Sequence, residues 1–148
     1  MSVAWALEED PKVFASQLVR ASRDHPRWLE TFAAEIESQA VASQLRRFLG
    51  IWGLSASDAA RLFGVSRQAL SKWLADGPPA DRLVAIGDLA AASDLLARHL
   101  KVDRVPAAVR RKADRLGGRS LVDLVAAGQA RQVLEACRAM FDFGSVHV

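Results

Sequence analysis

One stretch constrains this chain more than any other: Ser55 to Gly77, "SASDAARLFGVSRQALSKWLADG". Ser55 is an N-cap residue, and Asp58 three positions on puts a negative charge in the first turn of a helix. Gly64 can take the left-handed conformation that a sharp stop requires. Ser66 then caps a second helix, which Gly77-Pro78-Pro79 ends. Ala59, Ala60 and Phe63 share the inner face of the first helix, Val65 plugs the turn, and Leu70 and Trp73 hold the second helix against the first. Two short helices joined by a glycine turn, with a small residue at the crossing, form a helix-turn-helix unit. An ordinary helical hairpin is the alternative reading of the same pattern.

The rest of the chain obeys the same periodicity. Apolar residues recur at spacings of three and four and never alternate, so the fold class expected is all-α. A short helix is expected from Pro11, broken by "SRDHPRW", and a longer one from Pro26 to about Leu49. An apolar helix is expected over about 80–100 and a basic one from Val105-Pro106 to about Leu116. Ser120 and Asp123 form a capping box ahead of "LVDLVAA", and a last helix covers roughly Ala130 to Phe141. The organisation expected is a helical N-terminal arm over 1–43, a helix-turn-helix core over 44–100, and a small helical C-terminal domain over 101–148.

Charge divides along these lines. Residues 1–43 hold seven acidic against four basic side chains, 44–99 five against seven, and 100–148 five against nine. The excess of base in the C-terminal two-thirds favours an anionic partner, although a solvated helix face explains such runs equally well. The outward face of the second helix carries Ser66, Arg67, Gln68, Ser71 and Lys72. In a recognition helix Arg67 would pair with guanine and Gln68 with adenine. Ser66, Ser71 and Lys72 would meet phosphates, which set register. A single unit grips a short half-site, so a DNA-binding form is expected to be a homodimer.

Catalytic groups are poor. His25, His99 and His147 lie far apart without ligand spacing, which argues against a metal site. His99, among Leu95, Leu96 and Leu100, reads as a partly buried packing residue, and Cys137 as a core thiol. No phosphate loop follows a strand. Neither enzymatic activity nor a cofactor is expected. The opening residues show no secretory signal and no stretch long enough to span a membrane, which leads us to expect a cytoplasmic protein.

The segment "LGGRSLVDLVAAGQARQVLEACRAM" carries a family resemblance. With its Leu116-Gly117-Gly118-Arg119-Ser120 turn, Asp123-Leu124, Gly128 and Val133-Leu134, it resembles the toxin-binding domain of the Xre/MbcA/ParS-type antitoxins. Residues 44–100 resemble the Xre-type regulators. The resemblance implies the antitoxin of a type II toxin–antitoxin system. Its partners would be a cognate RES-type toxin that degrades NAD (or a related ADP-ribosylating toxin) and operator DNA. It also implies toxin-facing positions at Arg119, Ser120, Phe141, Phe143, His147 and Val148. The alternative is a stand-alone dimeric repressor without a toxin.

Overall fold

The structure, a computed structural model, describes residues 2–142 and, among them, eight α-helices and no β-sheet. This is the all-α class that the periodicity predicts. Chain contacts divide the molecule at Glu37/Ser38.

The first unit holds a short turn of helix at Ala4–Glu8, α1 (Pro11–Ala21) and the first part of α2 (Pro26–Trp52). Pro11 begins α1 because Asp10 caps it: the carboxylate accepts from the Lys12 and Val13 amides at 2.9 and 3.1 Å. Trp5 meets the edge of Phe14 at 6.0 Å, and Trp28 stacks on Phe32 at 5.3 Å. No apolar side chain of residues 2–37 is buried.

The second unit has one continuous core. The later part of α2 contributes Ala42, Leu45, Phe48, Leu49 and Trp52, a three-and-four stripe of side chains at most 8% exposed. Around it lie α3 (Ala56–Phe63), α4 (Arg67–Asp76), α5 (Leu83–His99), α6 (Val105–Arg110), α7 (Leu121–Ala126) and α8 (Ala130–Phe141). The most extensive helix pair is α5 with α8, so segments 44–100 and 101–148 share their apolar interior. Aromatic rings run through it from Trp52 to Phe48 (4.8 Å), Phe48 to Phe63 (6.2 Å) and Phe63 to Trp73 (5.9 Å). The Trp52 indole N–H donates to Ser93 Oγ at 3.0 Å, and that hydroxyl donates to the Leu89 carbonyl at 2.7 Å. A wholly enclosed polar chain is satisfied in this way without any charge.

The expected basic helix over 105–116 is not one element. It stops at Arg110, whose guanidinium turns back to the carbonyls of Trp52 (2.9 Å), Gly53 (3.0 Å) and Pro106 (2.8 Å). Those are the open carbonyls at the end of α2 and within α6, and a delocalised cation with several donors satisfies them together. Arg111 is extended, and Ala113 pairs antiparallel with Arg119. Gly117 and Gly118 close that loop at φ of 69° and 76°, where a side chain would be strained. The basic run is therefore splayed over a turn instead of lying along a helix.

Candidate nucleic-acid and partner-binding surfaces

The α3–turn–α4 unit is built as its sequence suggests. Ser55 Oγ accepts from the Asp58 amide at 3.1 Å, and the Asp58 carboxylate accepts from the Ser55 amide at 3.1 Å, a complete capping box. Gly64 sits at φ 65°, ψ 34°, and Ser66 Oγ accepts from the Ala69 amide at 3.0 Å to start α4. Ala59, Ala60, Phe63, Leu70 and Trp73 are buried, and Val65 is half-buried in the turn.

Arg67, Gln68, Ser71 and Lys72 are all exposed, and none makes a side-chain hydrogen bond or ion pair with another described residue. They lie in the first two turns of α4 over roughly 8 Å of helix axis. The inner side of the same helix carries Leu70, Trp73 and half-buried Leu74. Such a face offers fixed backbone, long donors and no competing partners, which base edges and phosphates require.

Residues that hold α4 in place escaped the sequence reading. The Arg46 guanidinium donates to the Leu74 carbonyl, and Gln39 Nε2 donates to the Ala75 carbonyl at 3.2 Å. Both answer unpaired carbonyls at the end of α4, from 28 and 36 residues away in the chain. Gly77 follows at φ 95°, and a Cβ there would lie 2.7 Å from the Ser38 carbonyl oxygen, so only glycine passes this crossing. Arg82 lies over the Trp73 ring at 5.3 Å and donates to the Phe63 carbonyl at 3.3 Å, tying α4 to the end of α3. No local pattern announces these ties, because each donor and its acceptor belong to different elements.

At the C-terminal surface Arg119 and Ser120 are separated in role. Ser120 is 3% exposed, and its hydroxyl accepts from the Asp123 amide at 3.0 Å while Asp123 accepts from the Ser120 amide at 2.8 Å. It is a capping residue, and its oxygen faces its own helix. Arg119 is exposed, with Nη1 on Gln129 Oε1 at 2.9 Å and Nε on the Leu116 carbonyl at 3.3 Å, so its guanidinium is held in a fixed position on the surface. Phe141 is half-buried and stacks on His99 with ring centroids 4.4 Å apart. His99, expected partly inside, is exposed. The physical reason is position: His99 shares a face with buried Leu96 but is the last residue of α5, where its ring stacks on Phe141. Phe141 also lines a cavity of about 340 Å³ with Leu100, Leu116 and Met140, and Arg111 and Arg115 stand among its walls. Phe143, His147 and Val148 lie outside the described residues.

The electrostatics separate structural groups from exposed ones. Backbone and hydroxyl hydrogen bonds from Ser55 hold the Asp58 carboxyl below its ordinary 3.8, with Arg61 adding to the effect, and Ser120 does the same for Asp123. A carboxyl whose folded pKa is depressed stabilises the fold above its unfolded value and ceases to do so as pH falls through the folded one. Stability is therefore expected to drop on acidification below about pH 4. Ser120→Ala, followed by urea unfolding at pH 7, should cost about 1 kcal/mol as a lost cap. A carboxyl-carbon titration of that variant should raise Asp123 only part of the way toward 3.8, because the backbone amide of residue 120, the larger cause, still donates to it. An unchanged unfolding free energy would refute the capping account. Burial pushes the Cys137 thiol up to about 12, so it is a core residue with no thiolate to offer. Among the described residues no three side chains are grouped to hold a metal ion, and no helix is long and apolar enough to cross a membrane.

Comparison with described protein families finds no match, and neither does comparison with curated proteins. Among solved structures, the chain is similar to one from the M. tuberculosis MbcT–MbcA toxin–antitoxin complex, at 26% identity and a TM-score of 0.54. That similarity covers 67% of this chain and 91% of the other. In its fold as in its residues, the chain resembles an MbcA-like antitoxin of the Xre/MbcA/ParS type.

Proposed function

We propose that this chain is the antitoxin of a type II toxin–antitoxin pair and also represses its own operon. The observation that carries the reading is the likeness to a chain of a toxin–antitoxin complex, extending over nine-tenths of that chain. In this reading the surface around Arg119 and Phe141, continued by the tail through Phe143, His147 and Val148, covers the active site of a RES-type toxin that consumes NAD. An apolar groove with Arg111 and Arg115 on its walls supports a protein partner there, since apolar anchors ringed by arginine are typical of binding hot spots. The exposed, unpartnered Arg67, Gln68, Ser71 and Lys72 support operator reading by a homodimer in the cytoplasm. The chain itself acts by occupancy, without catalysis and without a cofactor.

The test is growth and cellular NAD in cells expressing the product of the adjacent gene, with and without the full chain. The full chain should restore both, and a version ending at Asp142 should restore neither. A harmless neighbour would remove the antitoxin reading and leave the stand-alone repressor. Rescue by the version ending at Asp142 would move the inhibitory contact off the tail.

A further inference from the structure

The first unit is too small and too exposed to be stable by itself. Of the ten large hydrophobic residues that stand conspicuously in solvent among the described residues, eight fall in residues 2–37. They are Val3, Trp5, Leu7, Val13, Val19, Trp28, Phe32 and Ile36, with exposures from 38% to 88%. The other two, Val84 and Val102, are scattered over a second unit three times as long. Units below roughly 40 residues ordinarily need disulfides, a metal or oligomerisation to persist. Residues 2–37 contain no cysteine and no group of three metal-ligating side chains. With neither present, its exposed apolar side chains are available for burial against a second protein surface.

The apolar residues are also organised. Trp28, Phe32 and Ile36 recur every four positions and so form a stripe on α2, with the first two rings already stacked at 5.3 Å. Beside that stripe Leu18, Ala21 and Trp28 line an open, mostly apolar cavity of about 420 Å³ within the same unit. Fractional exposures of this size, on side chains of roughly 150–250 Å², leave on the order of 800 Å² of apolar surface per copy. The stripe itself supplies roughly 300 Å² of this, so an interface of the standard size, about 800 Å² per partner, draws on the other exposed apolar side chains of the unit as well.

We propose that residues 2–37 are a self-association module, and that a second copy of the chain covers the Trp28–Phe32–Ile36 stripe through a two-fold contact. A second copy fits better than an anionic lipid surface, because this unit carries seven acidic against four basic side chains. The inference deepens the dimeric reading above: two α4 faces reach successive half-sites only if something pairs the chains, and this module is proposed to do so.

The test is sedimentation equilibrium of the full chain at micromolar concentration. Wild type should weigh twice 16.1 kDa. Trp28→Glu/Phe32→Glu should raise the dimer dissociation constant by more than about 100-fold, as expected when two aromatic anchors are lost together. Val84→Glu/Val102→Glu, exposed apolar positions outside the module, should leave it unchanged. Far-UV circular dichroism and the thermal midpoint guard against misfolding, since neither pair of side chains belongs to the core. A monomeric wild type overturns the proposal, as does an arm variant that remains dimeric or a Val84/Val102 variant that dissociates. Rescue from the toxin is read separately in each variant, so a failure of the antitoxin reading is told apart from a failure of this one.

Discussion

Trp52→Ala should lower stability by about 3–5 kcal/mol, the largest single loss expected from any one side chain in this protein. Trp52 is 0% exposed and packs against Phe48 at 4.8 Å at the centre of the second unit. Its removal forfeits transfer free energy and opens a void that rigid helices close only in part. It also strips Ser93 of its donor, although the Ser93 hydroxyl keeps its own bond to the Leu89 carbonyl. Domains commonly have 5–15 kcal/mol in total, so the variant should be close to half unfolded in mild urea, with a midpoint shifted by roughly 2 M or more. Trp52→Phe separates the two contributions: it keeps most of the ring and loses the N–H, and should cost about 1–3 kcal/mol. A midpoint that hardly moves in Trp52→Ala would mean that the aromatic chain does not organise this core.

Operator binding should fall by roughly 30-fold to 10⁴-fold in Arg67→Ala/Gln68→Ala. Each good two-pronged contact to a base edge contributes about 1–3 kcal/mol of discrimination, and these two side chains are the long donors nearest the start of α4. Lys72→Ala should weaken all sequences alike and reduce the slope of log affinity against log salt by about one. None of the three substitutions should change folding stability by more than about 0.5 kcal/mol, because all are exposed and unpartnered. Affinity measured by fluorescence anisotropy on the operator across a salt series reads both effects. Equal binding by wild type and the double variant would remove α4 from the DNA contact.

The parts of this structure that were legible in the sequence are those governed by neighbours a few residues apart. Ser55 with Asp58 and Ser120 with Asp123 signal their helices because a capping box closes within one turn, and the structure contains both. The limits of α8 were readable for the same reason, its apolar period running unbroken from Ala130 to Phe141. The basic run at 110–115 was misread because its composition suits a helix, while the outcome depends on Arg110 meeting carbonyls 57 and 58 residues earlier. Gln39 and Arg46 were invisible as supports of α4, since a solvent-facing helix position and a distant helix end look alike until the chain folds. Ser120, by contrast, was legible as a cap because its partner lies three residues on, and its hydroxyl accepts from the Asp123 amide of its own helix.

The shared interior of α5 and α8 couples the fates of the two surfaces. Because segments 44–100 and 101–148 bury their apolar faces against each other, a loosened α8 uncovers Ile86, Leu89 and Leu96 at the same moment. The second unit then unfolds as one cooperative body, and anything that binds either surface protects the other by mass action. A protease acting on the open form would destroy the α4 face and the Arg119–Phe141 face together. In such a molecule, whatever the two faces hold is released in a single event with one rate.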